Sequence, residues 1–508
     1  MVEYNGMVIL RSVLNYIFAP GKSPDFPPRT QRKEESLMFE KTFKLKSHGT
    51  NVRTEAMAGI TTFMAMSYIL MVNPGMFADL GTVSYGAVYV ATAISAVIGT
   101  LLIGLMANLP LAQASGMGLN AFFVYTVCFG LGFSYANALL FVLADGLVFI
   151  LLTVTGLRSV IFDAIPKRVK MIIPAGIGLF IAFLGFQDAG IVVNDASTCV
   201  SIASFNLIGS ATWAGIMPML VTIASLLCMA VLSKKKVKGS ILWGILAGTG
   251  VYYLLGFTIP GFYAGFFDGI SMNPFAAFSE FGVQSFGHVF TEGFDFSAYL
   301  AGEGHSVASL VTSFITTALA FCMVDMFDTM GTLYGACRSG NLLIKNDEGE
   351  LEVPNMNKAM LADAIATCVG AVCGTSTVTT YVESSAGAAA GGKTGLSAVF
   401  TALMFFIALF LAPIVKLIPS CAYAAALIYV GILMMGCVKD IQWDNPSVAL
   451  PSFLTLVMMP FTYNISYGIA FGLISHVVIQ VCTGQAKDIK KGTWVITLLF
   501  AAMFLLTH

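Results

Sequence analysis

The sequence predicts an all-α polytopic membrane protein whose roughly 14 transmembrane segments form two inverted repeats of seven segments each. Three observations support this fold class. The 508-residue chain is 57% hydrophobic and 10% charged, with a mean hydropathy of +0.84, which is too apolar for a soluble protein. Lys and Arg are confined to alternate loops, and the third segment of each half contains a polar interruption.

Apolar segments follow one another along both halves of the chain. Those of the first repeat (54–257) cover roughly 54–78, 86–106, 115–130, 135–155, 172–187, 213–232 and 240–257. Those of the second repeat (307–482) cover roughly 307–332, 357–373, 380–392, 395–415, 421–437, 447–460 and 464–482. Because each repeat has an odd number of spans, the two have opposite orientations. The remaining parts are a cytoplasmic N-terminal segment at 1–53, an external loop at 258–306 and a C-terminal tail with an apolar helix at 483–508.

The distribution of Lys and Arg predicts how the spans are oriented. If the N-terminus is cytoplasmic, the seventeen Lys and Arg residues after Arg53 all lie in cytoplasmic loops except Lys416. The loop at 258–306 has no Lys or Arg, and its acidic residues are Asp268, Glu280, Glu292, Asp295 and Glu303. This positive-inside pattern predicts a multi-pass protein of the plasma (cell inner) membrane with a cytoplasmic N-terminus.

Composition and motifs argue against several other classes of protein. The net charge of −1 provides no basic face for nucleic acid. Ten cysteines include no CxxC pair and five histidines lack metal-ligand spacing, so we expect neither a metal nor another cofactor. The sequence contains neither a G-x-S-x-G motif nor a His cluster that would indicate an enzyme.

The stretch 374–392, GTSTVTTYVESSAGAAAGG, is the strongest local signal in the chain. Its Thr- and Val-rich part at 375–380 predicts a short extended segment, and the small residues at 386–392 predict a closely packed helix. Such a short helix begins part way across the bilayer, with Glu383 at membrane depth. The third span of the first half, LPLAQASGMGLNAFF at 109–123, has the same character and contains Asn120. Paired interruptions of this kind predict a transporter's substrate site.

Several acids lie inside predicted spans, where an acid at the centre costs about 2.5–3.5 kcal/mol on insertion scales and therefore needs a function or a partner. Asp325 and Asp328 are three residues apart and are expected on one helix face, and Glu383 heads the short helix. Neighbouring hydroxyls make these three acids candidate proton carriers. Asp145 and Asp363 are more isolated, and we expect them to fix helix packing through hydrogen bonds.

Four ordered motifs resemble the AzgA-like hypoxanthine/guanine permeases of the nucleobase and ascorbate transporter group. They are GTNVRTEAMAGITTFMAMSYILMVNP (49–74), SGMGLNAFF (115–123), VDMFDTMGTLYG (324–335) and TVTTYVESSAGAAAGGKTGLSAVFTA (377–402). The similarity extends over nearly the whole chain from about Met38. It implies a core domain of spans 1–4 and 8–11, a gate domain of spans 5–7 and 12–14, and short strands in spans 3 and 10. The family's important positions fall on Gly118, Asn120, Asp325, Asp328 and Glu383.

Purine chemistry suggests how such a site would bind its substrate. A purine is a flat ring that needs stacking faces and an in-plane carboxylate facing its N–H groups. The predicted substrate-binding residues are Glu383, Asp325, Asn120, Gly118, Phe122, Thr380 and Tyr381. Those predicted to carry the coupling proton are Glu383, Asp325 and Asp328.

The sequence therefore predicts a secondary active transporter that imports purine nucleobases by proton symport with alternating access. Guanine and hypoxanthine are the expected substrates, with adenine and xanthine also open, and a homodimer would form through the gate domain. The alternatives are a transporter of another nucleobase or of a small organic anion on the same fold, a channel, or an integral membrane enzyme. A site with three acids and no embedded Arg disfavours an anion.

Overall fold

The computed structural model describes residues 39–156, 166–209, 211–263, 273, 275–302, 306–345 and 351–507. The predictions made for residues 1–38, Asp268 and Glu303 lie outside these ranges.

The first half and the connecting loop consist mainly of helices. They are α1 (Val52–Met66), α2 (Ile69–Ala78), α3 (Tyr85–Met106), α4 (Met117–Ala121), α5 (Tyr135–Thr155), α6 (Lys167–Asp188), α7 (Trp213–Lys234), α8 (Ser240–Gly256), α9 (Ala276–Gln284), α10 (His288–Thr291) and α11 (Ser297–Leu300). A π-helix, Phe122–Gly130, continues α4. The strands are β1 (Gln113–Ser115), β2 (Val192–Asp195) and β3 (Cys199–Ile202), of which β2 and β3 form a hairpin.

The second half also consists mainly of helices, with a few short strands. Its helices are α12 (Val307–Ser339), α13 (Met356–Cys373), α14 (Ser384–Ala389), α15 (Gly395–Ala408), α16 (Ala412–Val415), α17 (Ser420–Met434), α18 (Pro446–Thr462), α19 (Ile465–Cys482) and α20 (Lys491–Thr507). Its strands are β4 (Ile344–Lys345), β5 (Leu351–Glu352) and β6 (Val378–Thr380).

The predicted fold class is confirmed. Within the described residues, 10 helices are long and apolar enough to cross a membrane, and they coincide with ten of the predicted spans. The predicted third, seventh and thirteenth spans are shorter apolar helices, and the tenth consists of β6 and α14. The protein is therefore a multi-pass membrane protein.

The outer helices show the surface that lipid requires. On α5, Leu147, Leu151 and Val154 are exposed at one-turn spacing, whereas Asp145 and Phe149 are fully buried. An apolar stripe that faces outward, with the polar groups turned inward, is the reverse of the pattern in a soluble helix.

At the centre of the molecule, β1 and β6 join the two halves as an antiparallel pair. Gln113 lies opposite Thr380, and Ser115 lies opposite Val378. Gly116 N donates to Thr377 O at 2.9 Å, and Tyr381 N donates to Ala112 O at 3.0 Å, which extends the pairing by one bond at each end. Each interrupted span thus satisfies the backbone groups that the other leaves free, as membrane depth requires.

The strand in span 10 is shorter than predicted, and its helix starts and ends earlier. Thr375 N still bonds to Gly370 O at the end of α13, so the extended pairing begins only at Val378. The helix covers Ser384–Ala389 rather than 386–392, and Gly391 has a φ of 108°, a conformation that a helix cannot continue.

The first and second halves are also joined by Glu55, which sequence analysis did not select. Its buried carboxylate accepts hydrogen bonds from the backbone N–H groups of Lys393 (3.0 Å), Thr394 (3.3 Å) and Ser397 (3.2 Å) at the start of α15. The Ser397 hydroxyl donates to it at 2.6 Å. An acid from α1 therefore caps a helix of the other repeat, where the helix dipole favours negative charge.

The core and gate domains divide the helices as expected for the fold. In the gate domain, α6 packs against α17 and α18, and α7 packs against α8 and α17. In the core domain, α13 packs against α3 and α5, and α15 packs against α1 and α3. The strand pair belongs to the core domain.

Candidate substrate site

A small cavity lies beside the central strand pair, and we call it the strand cavity. It encloses about 40 Å³. Its core-domain wall consists of Tyr68, 116–118 at the start of α4, Asp328 and Thr332 of α12, and 379–383. Apolar side chains of α6 and α17 form the gate-domain wall. Because liquid water occupies about 30 Å³ per molecule, the cavity must widen to admit any larger ligand.

Glu383 stands at the head of α14 and is 6% exposed. The Tyr68 hydroxyl donates a hydrogen bond to Glu383 Oε1 at 2.5 Å. Tyr68 lies between α1 and α2, at a break in the first span. The carboxylate is therefore held by another span, with one oxygen already engaged.

Asp328 is the second acid of the strand cavity. The Thr379 hydroxyl of β6 donates to Asp328 Oδ2 at 3.4 Å, and the Thr332 hydroxyl donates to the Asp328 backbone carbonyl at 2.8 Å. Among the described residues of the wall, the charged side chains are Asp328 and Glu383, both acidic. Such a wall suits a neutral or cationic ligand with N–H donors.

Asp325 does not reach the strand cavity although it is only three residues from Asp328. It is fully buried, and its Oδ2 accepts a hydrogen bond from Thr367 of α13 at 3.4 Å. Three residues of an α-helix turn the side chain by about 300°, so the two carboxylates are offset by about 60°. This offset directs one acid to the cavity and the other to the interior.

Two further acids lie behind the strands, as predicted for packing residues. Asp363 Oδ1 accepts from Gln113 Nε2 at 2.9 Å and from Thr380 Oγ1 at 3.2 Å, and its Oδ2 accepts from Thr329 Oγ1 at 2.8 Å. Asp145 Oδ2 accepts from Thr377 Oγ1 at 3.3 Å. Asp363 thus connects α13 with β1, β6 and α12.

Of the seven residues predicted to bind substrate, Gly118, Thr380, Tyr381 and Glu383 line the strand cavity. The structure does not bring Asp325, Asn120 or Phe122 to its wall. Asn120 Oδ1 accepts hydrogen bonds from Ser115 (2.7 Å) and Ser376, so the amide is turned towards the strands. Phe122 packs edge-on against Phe321, with ring centroids 4.8 Å apart.

Comparison with known proteins assigns the chain to a family. A model of the permease family named Xan_ur_permease matches residues 53–471. The chain belongs to this permease family. The resemblance found in the sequence motifs is thereby confirmed, and the protein is a transporter rather than an enzyme.

The match to two relatives extends over nearly the full length of each. The permease is 37% identical to the guanine/hypoxanthine permease PbuO of Bacillus subtilis, over 90% of this chain and 98% of PbuO. It is 34% identical to the adenine permease AdeQ of Escherichia coli, over 93% of this chain and 97% of AdeQ.

A solved structure supports the fold. The transmembrane domain of the cyanobacterial bicarbonate transporter BicA superposes with a TM-score of 0.54 at 15% sequence identity, covering 84% of the permease and 97% of that domain. At this identity the likeness concerns the architecture alone.

A second, larger cavity reaches Glu383 from one side of the permease, and we call it the lysine vestibule. It has a volume of about 630 Å³ and extends from Lys236 and Lys238, between α7 and α8, to Val382 and Glu383. Both of these last two residues also line the strand cavity. Glu383 therefore lies between the strand cavity and the lysine vestibule and borders both.

Another cavity, of about 820 Å³, lies between α12, α6 and the segment that leads into α20. Phe327 of α12 lines this cavity rather than the strand cavity. Apolar side chains and the charged residues Lys170, Glu352, Asp488 and Lys490 surround it. None of the acids predicted within the spans forms part of its described wall.

Sequence analysis missed Tyr68. A signal was present, because Ser67 and Tyr68 interrupt the apolar run in the middle of a span of 27 residues, longer than the roughly 20 needed to cross a bilayer. Its partner could not be inferred, since Glu383 lies 315 residues further along the chain.

We predict that Gly387→Ala destabilises the permease. A Cβ at this position would lie 2.6 Å from the Ala58 carbonyl oxygen and 2.0 Å from Thr62 Oγ1, so α14 would be forced away from α1. Overpacking of this kind costs about 1–3 kcal/mol.

The thermal midpoint of purified protein in detergent measures this effect. Gly335→Ala on α12 is the matched control, because a Cβ there meets no atom within 4 Å. Equal midpoints for the two variants would show that α14 does not pack tightly on α1.

Proposed function

We propose that the protein imports purine nucleobases by proton symport with alternating access. The observation that carries this proposal is Glu383, an acid at membrane depth that heads a half-helix and borders both the strand cavity and the lysine vestibule. Paired half-helices around an acidic site are a recurring plan of carriers.

The substrate class follows from the acid and from the relatives. Guanine and hypoxanthine present an N1–H that a carboxylate can accept, and guanine adds an exocyclic amine. Adenine presents an acceptor at N1 and would require a protonated acid. The similar permeases named for guanine/hypoxanthine and for adenine support a purine substrate.

The remaining binding groups surround Glu383. Gly118 lies in the first turn of α4, where backbone N–H groups have no partner within the helix and are available to the six-position carbonyl. The rings of Tyr68 and Tyr381, with centroids 6.5 Å apart, offer apolar faces to the base. Asn120, Asp325 and Phe122 would act from behind this wall by holding the strands and α12.

The proton is the proposed coupling ion, and the protein would need no other cofactor. Glu383 and Asp328 border the same cavity, and Asp325 lies one helical turn away from Asp328. An acid that accepts a proton from one side and releases it to the other couples substrate movement to the proton gradient.

Alternating access would move the core domain against the gate domain. The strand cavity is bounded by strands and half-helices of the core and by Ile177, Ile181, Val430 and Met434 of the gate. Separation of these apolar side chains would enlarge the cavity, whereas their contact closes it. The lysine vestibule would then be the route to the cytoplasm.

We place the permease in the plasma membrane with its N-terminus in the cytoplasm, as the distribution of Lys and Arg indicates. The proposed assembly is a homodimer through the gate domain, whose outer surface includes the exposed side chains of Leu254, Phe453 and Phe461.

Two exposed native cysteines test the orientation. Cys199 in β3 should lie outside the cell, and Cys482 at the end of α19 should lie inside. A membrane-impermeant maleimide should therefore label a Cys482→Ser variant on intact cells and a Cys199→Ser variant only after permeabilisation. The reverse pattern would contradict the proposed orientation.

Uptake of labelled hypoxanthine by cells that lack their own purine permeases tests the function. Wild type should show saturable accumulation that collapses when the proton gradient is dissipated. Glu383→Gln should reduce uptake roughly 10- to 100-fold, because it removes a hydrogen bond to a charged group. Glu292→Gln, at an exposed residue of the external loop, is the matched control.

Unchanged, gradient-independent uptake by Glu383→Gln would overturn the proposed role. Competition with excess bicarbonate separates the proposal from anion transport on the same fold. We expect no competition, because the described wall of the strand cavity contains acids and no basic side chain.

A further inference from the structure

We propose that Tyr68 is a positioning residue that holds the Glu383 carboxylate in the orientation that receives the substrate. This inference rests on the proposed function and gives the hydroxyl of Tyr68 a role that is separate from that of its ring.

The break in span 1 places Tyr68 at the site. Leu70 N donates to Ser67 O at 3.1 Å, and Met71 N donates to Tyr68 O at 3.0 Å. These bonds over three residues tighten the turn between α1 and α2 and change the direction in which side chains leave the helix. Interrupted helices at membrane depth occur where the backbone or side chains line a functional cavity.

The hydroxyl of Tyr68 is buried away from solvent. The side chain is 1% exposed, so its O–H group needs a partner within the protein. Among the described residues, the Tyr68 hydroxyl donates to Glu383 Oε1 at 2.5 Å, a length typical of hydrogen bonds to a carboxylate. The bond is therefore a strong restraint on the carboxylate.

Glu383 depends on this restraint because its own helix does little to orient it. It is the residue that precedes α14, a helix of only six residues, and its side chain makes no capping bond there. With Oε1 engaged by Tyr68, Oε2 is the oxygen left to accept an N–H of the base. A free carboxylate would have to lose rotamer freedom on binding, which lowers affinity.

Nearby tyrosines do not duplicate this role. The Tyr381 hydroxyl donates to the Ser115 carbonyl and is committed to the strand pair. The Tyr89 hydroxyl donates to the Ala408 carbonyl at 2.6 Å, within the core domain and outside the strand cavity. Tyr89 is as deeply buried as Tyr68 and is therefore a matched control.

Transport kinetics of Tyr68→Phe and Tyr89→Phe provide the test. Tyr68→Phe keeps the ring and removes the hydroxyl, so it should raise the KM for hypoxanthine roughly tenfold with little change in maximal rate. Tyr89→Phe should leave KM unchanged, although it also removes a buried hydrogen bond. A purely structural role for Tyr68 would instead lower the maximal rate of Tyr68→Phe through a reduced amount of folded protein and leave its KM unchanged.

A double-mutant cycle shows whether Tyr68 acts through Glu383. The double variant Tyr68→Phe/Glu383→Ala, in which no acceptor for the Tyr68 hydroxyl remains at position 383, should have the same KM as Glu383→Ala alone. An unchanged KM in Tyr68→Phe, or an added loss in the double variant, would overturn the inference.

A substrate-independent measurement separates this inference from the proposed function. If wild type accumulates no purine, the proposed function fails, and Tyr68 is then tested by the rate at which a membrane-permeant carbodiimide modifies Glu383. Tyr68→Phe should increase this rate several-fold, because Oε1 loses its cover, and Tyr89→Phe should not. Equal rates in all three proteins would refute the positioning role.

Discussion

The structure depends on one constraint, that backbone N–H and C=O groups in the middle of a membrane must be paired within the protein. Two spans of this permease are interrupted at that depth, and each supplies the pairing that the other lacks through β1 and β6. Neither repeat can satisfy this requirement alone. The proposed substrate site would therefore be a consequence of joining the two halves, because the same interruptions that need pairing also border the strand cavity.

The polar groups behind the strands make this junction rigid. Asp363 accepts hydrogen bonds from β1, β6 and α12 at once, and Asn73 donates to Thr92 at 2.7 Å and to Thr375 at 2.9 Å. These hydrogen bonds link the strands and the segment before β6 to α2, α3, α12 and α13. The gate side of the strand cavity is apolar by contrast, with Ile177, Ile181, Val430 and Met434 in its wall. This asymmetry suits a rigid core that moves against a gate.

Hydropathy and charge made the span boundaries and the interrupted segments predictable, because both patterns can be read from neighbouring residues in the sequence. The positions of Glu383 and Thr380 followed from such local patterns. Tyr68 and Glu55 could not be found in this way, since their partners are 315 and 338 residues distant. The different environments of Asp328 and Asp325 could not be predicted from their spacing. Two residues three positions apart can share one helix face or point to two environments, and the rotation of the helix about its axis decides which.

The central claim is that the base binds between α4 and Glu383 in a widened strand cavity. The most direct measurement is an experimental structure of the permease with hypoxanthine bound. The account predicts density for the base in contact with Gly118, with its N1–H within hydrogen-bond distance of Glu383 and the Tyr68 bond to Glu383 retained. Density in the 820 Å³ cavity beside Phe327, with the strand cavity still closed, would contradict it.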